Sequence, residues 1–223
     1  MNHVKTRPLN ILALDTATAE TCGCLLSGSR TYMASLGADQ RIRSTGIMPM
    51  LAELLQQAGL DWQNLDILAF SQGPGSFTGL RIAAATLAGL NAELKLPVLH
   101  MSSLAITARQ TDSQGPIWIL EDARAGEAFV GCYDHGEAVS ADCCMCWQDI
   151  VEQLAPATFT SLATPPLPLN DWHYQPVARS RAEALADELL HASRSVSDHR
   201  HLPIYPSPAY LQLSQAERSA HAR

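Results

Sequence analysis

The residues best placed to do chemistry in this chain are Gly73-Pro74-Gly75-Ser76-Phe77-Thr78-Gly79-Leu80-Arg81, set between a short apolar run and a long apolar segment. Backbone N–H groups at a strand-to-helix turn point at whatever lies above the helix start, which suits an anion. Gly73, Gly75, Ser76, Thr78, Gly79 and Arg81 are therefore candidates for a phosphate loop. Two familiar nucleotide loops are excluded, because no Gly-Lys-Ser/Thr follows and the third glycine falls one residue late for GxGxxG. A tight turn with close backbone packing explains the same glycines, and the sequence leaves both readings open. Asp15, Thr16 and Thr18 form a second group, closing the first apolar run with a carboxylate and two hydroxyls.

Other chemistry is thinly represented. His3, His135, His173, His191, His199, His201 and His221 fall in expected loops or termini, and no Ser-His-Asp arrangement stands out. Cys143 and Cys146 have CxxC spacing, and Cys22 and Cys24 offer a second pair, but no regular zinc-module spacing follows either. Structural thiols are the first expectation, and no metal site is assigned.

The elements that must position these groups follow from periodicity. Residues 9–15 form a buried strand, residues 20–27 and 31–36 two further strands around the turn Gly28-Ser29, and residues 66–71 and 97–101 two more. Ile47, Met50, Leu51, Leu54, Leu55 and Ala58 recur at helical spacing between an N-cap at Ser44 or Thr45 and a stop at Gly59. Pro49 then belongs in the first turn or at a kink. Helices are expected over 77–95 and 104–110. The order β-β-β-α-β-α-β-α is that of a half-domain in the actin-like ATPase (ASKHA, ribonuclease-H-like) α/β fold. A second, reduced half-domain begins near Gly115-Pro116, with strands at 117–120 and 128–133 and a helix at 182–191. The expected division is 1–110, 111–213 and a frayed tail at 214–223.

In actin-like ATPases the first hairpin wraps phosphates, and its Asp orients the metal-bound nucleotide. A complete clamp needs a matching Asp-Gly-Gly turn in the second half. Here that turn is Asp122-Ala123-Arg124-Ala125-Gly126, which carries Cβ atoms where phosphate needs bare backbone. Half a clamp is present, so autonomous ATP hydrolysis is not expected.

The helix at 77–95 is apolar around most of its circumference, more than one sheet face can bury. The helix before it is also broad, adding Met48 and Ala52. Two neighbouring helices with surplus apolar faces suit pairing with two helices of another chain, the alternative being that they bury each other completely. Ile47, Met48, Met50, Leu51, Leu54, Leu55, Leu80, Ala84, Leu87 and Ala88 are the expected partner-binding set.

Bulk properties agree with a partnered role. The 223 residues carry 47% hydrophobic and 17% charged side chains, enough for a packed core. A net charge of −7 opposes independent grip on nucleic acid. Asp15 interrupts the apolar run after Lys5 and Arg7, too early for a secretory signal, and no membrane span is expected, so the expected compartment is the cytoplasm.

The segments Ile11-Leu12-Ala13-Leu14-Asp15-Thr16-Ala17-Thr18, Gly73 to Arg81, Leu96-Pro97 leading to Ser102-Ser103-Leu104, and Asp122-Ala123-Arg124-Ala125-Gly126-Glu127 together resemble the TsaB (YeaZ) family across residues 9–133. That resemblance implies a shortened, non-catalytic relative of TsaD, which transfers a threonylcarbamoyl group to adenosine in the anticodon loop of ANN-decoding tRNAs. It implies a heterodimer with TsaD through the two helices, with the ATPase TsaE joining them and tRNA reached only through the complex. It adds ATP or ADP at the composite interface, with no cofactor on its own, while the apolar helices themselves make a homodimer an option for the chain alone. The metal-binding HxxxH positions of TsaD fall here on Ser103 and Thr107, whose hydroxyls are poor ligands for a transition metal. The chain departs from the family pattern at Arg43-Ser44-Thr45, Ala83 and Tyr210-Leu211-Gln212. The alternatives are a peptidase of the glycoprotease-like superfamily and a small actin-like ATPase or kinase.

Overall fold

The computed structural model describes residues 8–195 and 201–210, apart from the side chains of residues 40, 41 and 43. The expected tail at 214–223 and the family-type ending Leu211-Gln212 lie outside the described residues.

The first sheet contains β1 (Asn10–Asp15), β2 (Thr21–Ser27), β3 (Arg30–Gly37), β4 (Ile67–Gly73) and β5 (Val98–Ser102), in the order β3-β2-β1-β4-β5. β1 pairs antiparallel with β2 and parallel with β4. Every residue of β1 is buried, because this strand is central and covered on both faces, which explains its unbroken apolar run. β3 is an edge strand whose residues alternate in exposure.

Helices α1 (Gln40–Ala58) and α2 (Phe77–Leu94) cover one face of this sheet, where Leu12, Leu14, Leu25 and Phe70 meet Ile47, Leu51, Leu54, Ala83 and Leu87. α1 begins at Gln40, a full turn before the expected cap at Ser44 or Thr45. Its early turns lie along β3, and Gly46 lets them approach, since a Cβ there would stand 2.9 Å from Leu36 Cδ1. Pro49 consequently sits in the helix interior, not in the first turn. The stop at Gly59 is confirmed by its φ of +69°, a left-handed position that suits glycine.

After α3 (Ser103–Arg109), the second sheet is built on β6 (Ile117–Arg124) and β7 (Glu127–Asp134), with β8 (Glu137–Ala138) and β9 (Cys143–Cys146) pairing onto β7. Then α4 (Trp147–Gln153) leads to β10 (Thr158–Thr160) and β11 (His173–Tyr174), giving the order β11-β10-β6-β7-β8. Leu120, Val130, Trp147, Ile150 and Phe159 form the core on one side of it. α5 (Arg181–Ser195) closes the described fold.

α5 does not cover the second sheet. Its Ala184, Leu185 and Leu189 pack with Ile11, Ala13, Cys22, Cys24 and Met101 on the free face of the first sheet. The first unit is therefore discontinuous in sequence: a helix from the 111–213 stretch is needed to bury its second face. Two sheets with helices on their faces and a first sheet of order 3-2-1-4-5 make this an actin-like, ribonuclease-H-like α/β fold with a reduced second half. Among the described residues, no helix is long and apolar enough to cross a membrane.

Candidate functional site

β1 ends on Asp15, which is fully buried at 0% exposure. Its Oδ1 accepts from the Ala17 backbone N–H at 2.9 Å, and its Oδ2 accepts from Arg181 Nε at 2.7 Å. Arg181 is 1% exposed. Its Nη1 donates to Thr107 Oγ1 at 2.7 Å and Gln110 Oε1 at 3.3 Å, and its Nη2 to the Ser103 carbonyl at 3.3 Å. Ser103 Oγ donates in turn to the Pro74 carbonyl. One guanidinium thus joins β1, α3 and α5, and Ser103 extends the network to the glycine loop. Arg181 is held there by the start of α5, where Ser180 Oγ accepts from Glu183 N at 3.3 Å and Glu183 Oε2 accepts from Ser180 N at 2.9 Å. This reciprocal pair is a capping box, and Ser180-x-x-Glu183 was its sequence signal.

The glycine loop proves to be an interlock. Ser76 N donates to the Ala17 carbonyl at 2.7 Å, Thr16 Oγ1 donates to the Gly79 carbonyl at 2.6 Å, and Ser76 Oγ caps α2 by accepting from Gly79 N at 3.2 Å. A Cβ on Gly75 would lie 2.4 Å from the Ala17 carbonyl oxygen, and one on Gly79 would lie 2.0 Å from that of Thr16. These glycines are therefore required by the neighbouring hairpin backbone, the tight-packing reading of the motif. Asp15, Thr16, Gly73 and Gly79 are buried, Thr18 and Gly75 partly so, and Ser76, Thr78 and Arg81 face outward. The two expected groups do meet, but on each other. On the outer side, Arg81 stacks over Phe77 at 5.3 Å, and Phe77 contacts Tyr210 at 5.2 Å. In the second half, the opposing turn places Arg124 and Ala125 at φ of +69° and +51°, and Asp122 Oδ1 accepts from Arg124 N at 3.0 Å. The Asp122 carboxylate is thus engaged within its own turn, with Arg124 Nη1 3.4 Å from its Oδ2.

The periodicity did not single out Glu121. This β6 carboxylate accepts from the Leu162 N–H at 3.3 Å with each oxygen. Burial pushes its pKa up to about 7, against the opposing pull of the Arg181 charge. Its only trace in the sequence is a charge directly after the apolar run Ile117-Trp118-Ile119-Leu120. A second polar knot ties the halves together: Ser102 Oγ and Tyr133 OH donate to Asp142 at 2.5 Å and 2.6 Å, while Ser102 Oγ accepts from Leu104 N at 3.1 Å. Burial raises the pKa of both Asp142 and Tyr133.

Cys143 and Cys146 occupy the two ends of β9. Residues three apart on a strand project to opposite faces, with Cα atoms roughly 10 Å apart, so this CxxC cannot close on one metal or disulfide. Cys22 and Cys24 are buried in the first core, and burial pushes the Cys24 thiol up to about 12. Among the described residues no group of three or more His, Cys, Asp or Glu is arranged to hold a metal ion.

The expected partner-binding set divides sharply. Ile47, Met50, Leu51, Leu54, Leu55, Leu80 and Leu87 are at most 4% exposed and belong to the core of this protomer. They cannot present a docking surface, because the first sheet already uses them. Met48 at 40% exposure and Ala88 remain on the outside, with Ala84 half-buried. The outward apolar surface of α1 and α2 combines small residues, with Ala52, Ala85, Ala88, Gly89 and Ala92 exposed, and a few large ones, Ile42, Met48 and Phe77. A groove of about 460 Å³ runs beside Met48, Trp62, Ala85, Gly89, Leu90 and Leu94.

The domain family described as "TsaD: tRNA N6-adenosine threonylcarbamoyltransferase" matches residues 40–165. The Haemophilus influenzae protein named "tRNA threonylcarbamoyladenosine biosynthesis protein TsaB" is 42% identical over 103 residues, 45% of this chain and 42% of that protein. The Escherichia coli protein of the same name is 34% identical over 132 residues, 58% of this chain and 57% of that protein. This chain thus spans about half the length of the curated relatives it matches. The structure of YeaZ from Pseudomonas aeruginosa superposes with a TM-score of 0.70 at 26% identity, over 91% of this chain and 100% of that one. A second Pseudomonas aeruginosa structure, titled as similar to peptidase YEAZ, gives 0.71 at 26% identity, over 92% and 100%. The domain match through the glycine loop and both helices means that this protein belongs to the domain family described as TsaD: tRNA N6-adenosine threonylcarbamoyltransferase, and its named relatives and the fold shared along nearly the whole chain support the TsaB (YeaZ) family within it.

Proposed function

We propose that this chain is a non-catalytic partner subunit in the biosynthesis of threonylcarbamoyladenosine in tRNA, binding and supporting a TsaD-type transferase. The observation that carries this reading is the filled strand-end crevice, where the groups that would grip a phosphate grip Arg181 and one another. The names of the TsaB relatives supply the pathway. The outward face of α1 and α2, where Met48 stands among Ala52, Ala85, Ala88, Gly89 and Ala92, is the docking surface, since its many small side chains let two helices of a partner approach closely. The ATPase TsaE joins the pair, ATP or ADP binds at the composite interface, and the anticodon loop of ANN-decoding tRNAs is reached through TsaD in the cytoplasm. The peptidase reading, a word attached to one Pseudomonas aeruginosa structure, has less support: of its candidates Ser76, Thr78 and Asp15, the Ser76 hydroxyl caps α2 and Asp15 is held by Arg181.

Reconstitution tests this proposal. The isolated chain is mixed with tRNA, the adenylate-forming enzyme, TsaE and TsaD, each omitted in turn, and modified adenosine is quantified. The expected result is no product from this chain without TsaD and restored product with it. Threonylcarbamoyl transfer by the chain in the absence of TsaD overturns the reading.

A further inference from the structure

Ligands of open α/β sheets collect in the crevice beyond the carboxyl ends of the strands. Here those ends are Asp15 on β1, Gly73 on β4 and Ser102 on β5, with Ser103 directly following. The Arg181 side chain from α5 lies among them, and its acceptors form a matched set: the Asp15 carboxylate, Thr107 Oγ1, Gln110 Oε1 and the Ser103 carbonyl, at 2.7–3.3 Å. Acceptors disposed around a planar fork suit a guanidinium and suit a compact ammonium or metal ion poorly. Asp15 and Arg181 are 0% and 1% exposed as side chains, so water does not compete for either.

We infer that the strand-end crevice of this chain is a guanidinium-selective cation site whose resident ligand is its own Arg181, so that the crevice is closed to divalent cations and nucleotides for as long as α5 is docked. The charge balance supports a resident cation. Asp15 is buried with one carboxylate oxygen turned to the Arg181 fork and the other to the Ala17 amide. Without the guanidinium, that charge would be desolvated and uncompensated. α5 brings its own anchors: Arg179 pairs with Asp187 at 2.5 Å, and Arg109 of α3 pairs with Glu188 at 2.6 Å. The inference deepens the non-catalytic reading, yet it concerns the crevice of the isolated chain and does not depend on which partner docks.

Chemical rescue tests it. Arg181→Ala in the full chain removes the fork and leaves Asp15, Thr107, Gln110 and Ser103 in place. Its melting temperature is expected to fall by roughly 6–20 °C, the effect of breaking a fully buried pair in a chain of this size. Guanidinium chloride at low millimolar concentration is expected to raise that melting temperature saturably, by about 3–5 °C at ten times its Kd, while sodium and magnesium chloride at equal ionic strength do not. Arg181→Lys, which keeps charge and reach but loses the fork, is expected to melt between the two and to show no guanidinium response. Equal responses of Arg181→Ala to guanidinium and sodium overturn the inference. A second measurement uses the unmodified chain: calorimetric binding of Mg²⁺·ADP that Asp15→Asn abolishes also overturns it, even if Arg181→Ala does not fold. Melting and calorimetry on the isolated chain report the crevice, whereas loss of TsaD binding reports the helix face, so the two readings fail separately.

Discussion

Leu87 and Ala88 are neighbours in sequence on α2 and opposites in the fold, with Leu87 at 0% exposure in the first core and Ala88 on the surface. This contrast gives a test of the docking face that is not confounded by unfolding. A glutamate at position 88 points into water in the isolated chain, where such substitutions change stability by about 0.5 kcal/mol or less. In a complex that lays another helix along Ala85, Ala88 and Ala92, the same carboxylate is buried without a counter-charge. An unpaired buried charge costs about 3 kcal/mol or more, which at 1.4 kcal/mol per tenfold is a loss of at least about a hundredfold in affinity. Leu87→Glu, by contrast, puts the charge into the core and is expected to unfold the chain, so it is uninformative about docking. The assay pairs thermal unfolding by circular dichroism with calorimetric titration against TsaD, comparing wild type, Ala88→Glu and Met48→Glu. The reasoning is refuted if Ala88→Glu keeps the wild-type melting temperature and binds TsaD within threefold of wild type.

Two further outcomes follow from the geometry. Gly79→Ala places a Cβ 2.0 Å from the Thr16 carbonyl oxygen and should lower stability by about 2–3 kcal/mol, whereas Gly89→Ala meets nothing within 4 Å and should raise it by about 0.5–1 kcal/mol. Opposite signs in urea unfolding check the pair; equal signs would mean the interlock is slack. Glu121, raised from 4.5 to about 7 by burial, holds its proton more tightly folded than unfolded. Its contribution is therefore favourable at low pH and is lost as pH climbs from 4.5 through about 7, by roughly 3 kcal/mol at most. Glu121→Gln should remove that part of the slope, so wild type minus variant, measured by urea unfolding from pH 4.5 to 8, should fall with pH; a flat difference contradicts the assignment.

The sequence by itself determined the local grammar. An unbroken apolar run made β1 a central strand, because a strand covered on both faces has no reason to alternate. Helical spacing located the buried stripe of α1, and positive φ at Gly28 and Gly59 matches the turns expected there. The half-domain order and the glycine-loop motif, short-range features of the chain, were enough to indicate fold and family. β8 to β11 escaped because strands of two to four residues carry too little periodicity to read.

What only the tertiary structure decided concerns pairs distant in sequence. Asp15 reads as a phosphate-site carboxylate until Arg181, 166 residues later, is found on it; an ion pair of that separation leaves no local trace. The glycines read equally as anion cradle or close contact until the Thr16 and Ala17 carbonyls are seen where Cβ atoms would be. The large apolar residues of α1 and α2 looked like a docking surface because composition counts apolar side chains without saying which face they take. Packing gave most of the large ones to the first sheet and left mainly small ones outside, with Ile42, Met48 and Phe77 among them. That division was settled by the sheet beneath the helices, to which the far end of the described chain contributes α5 on the opposite face.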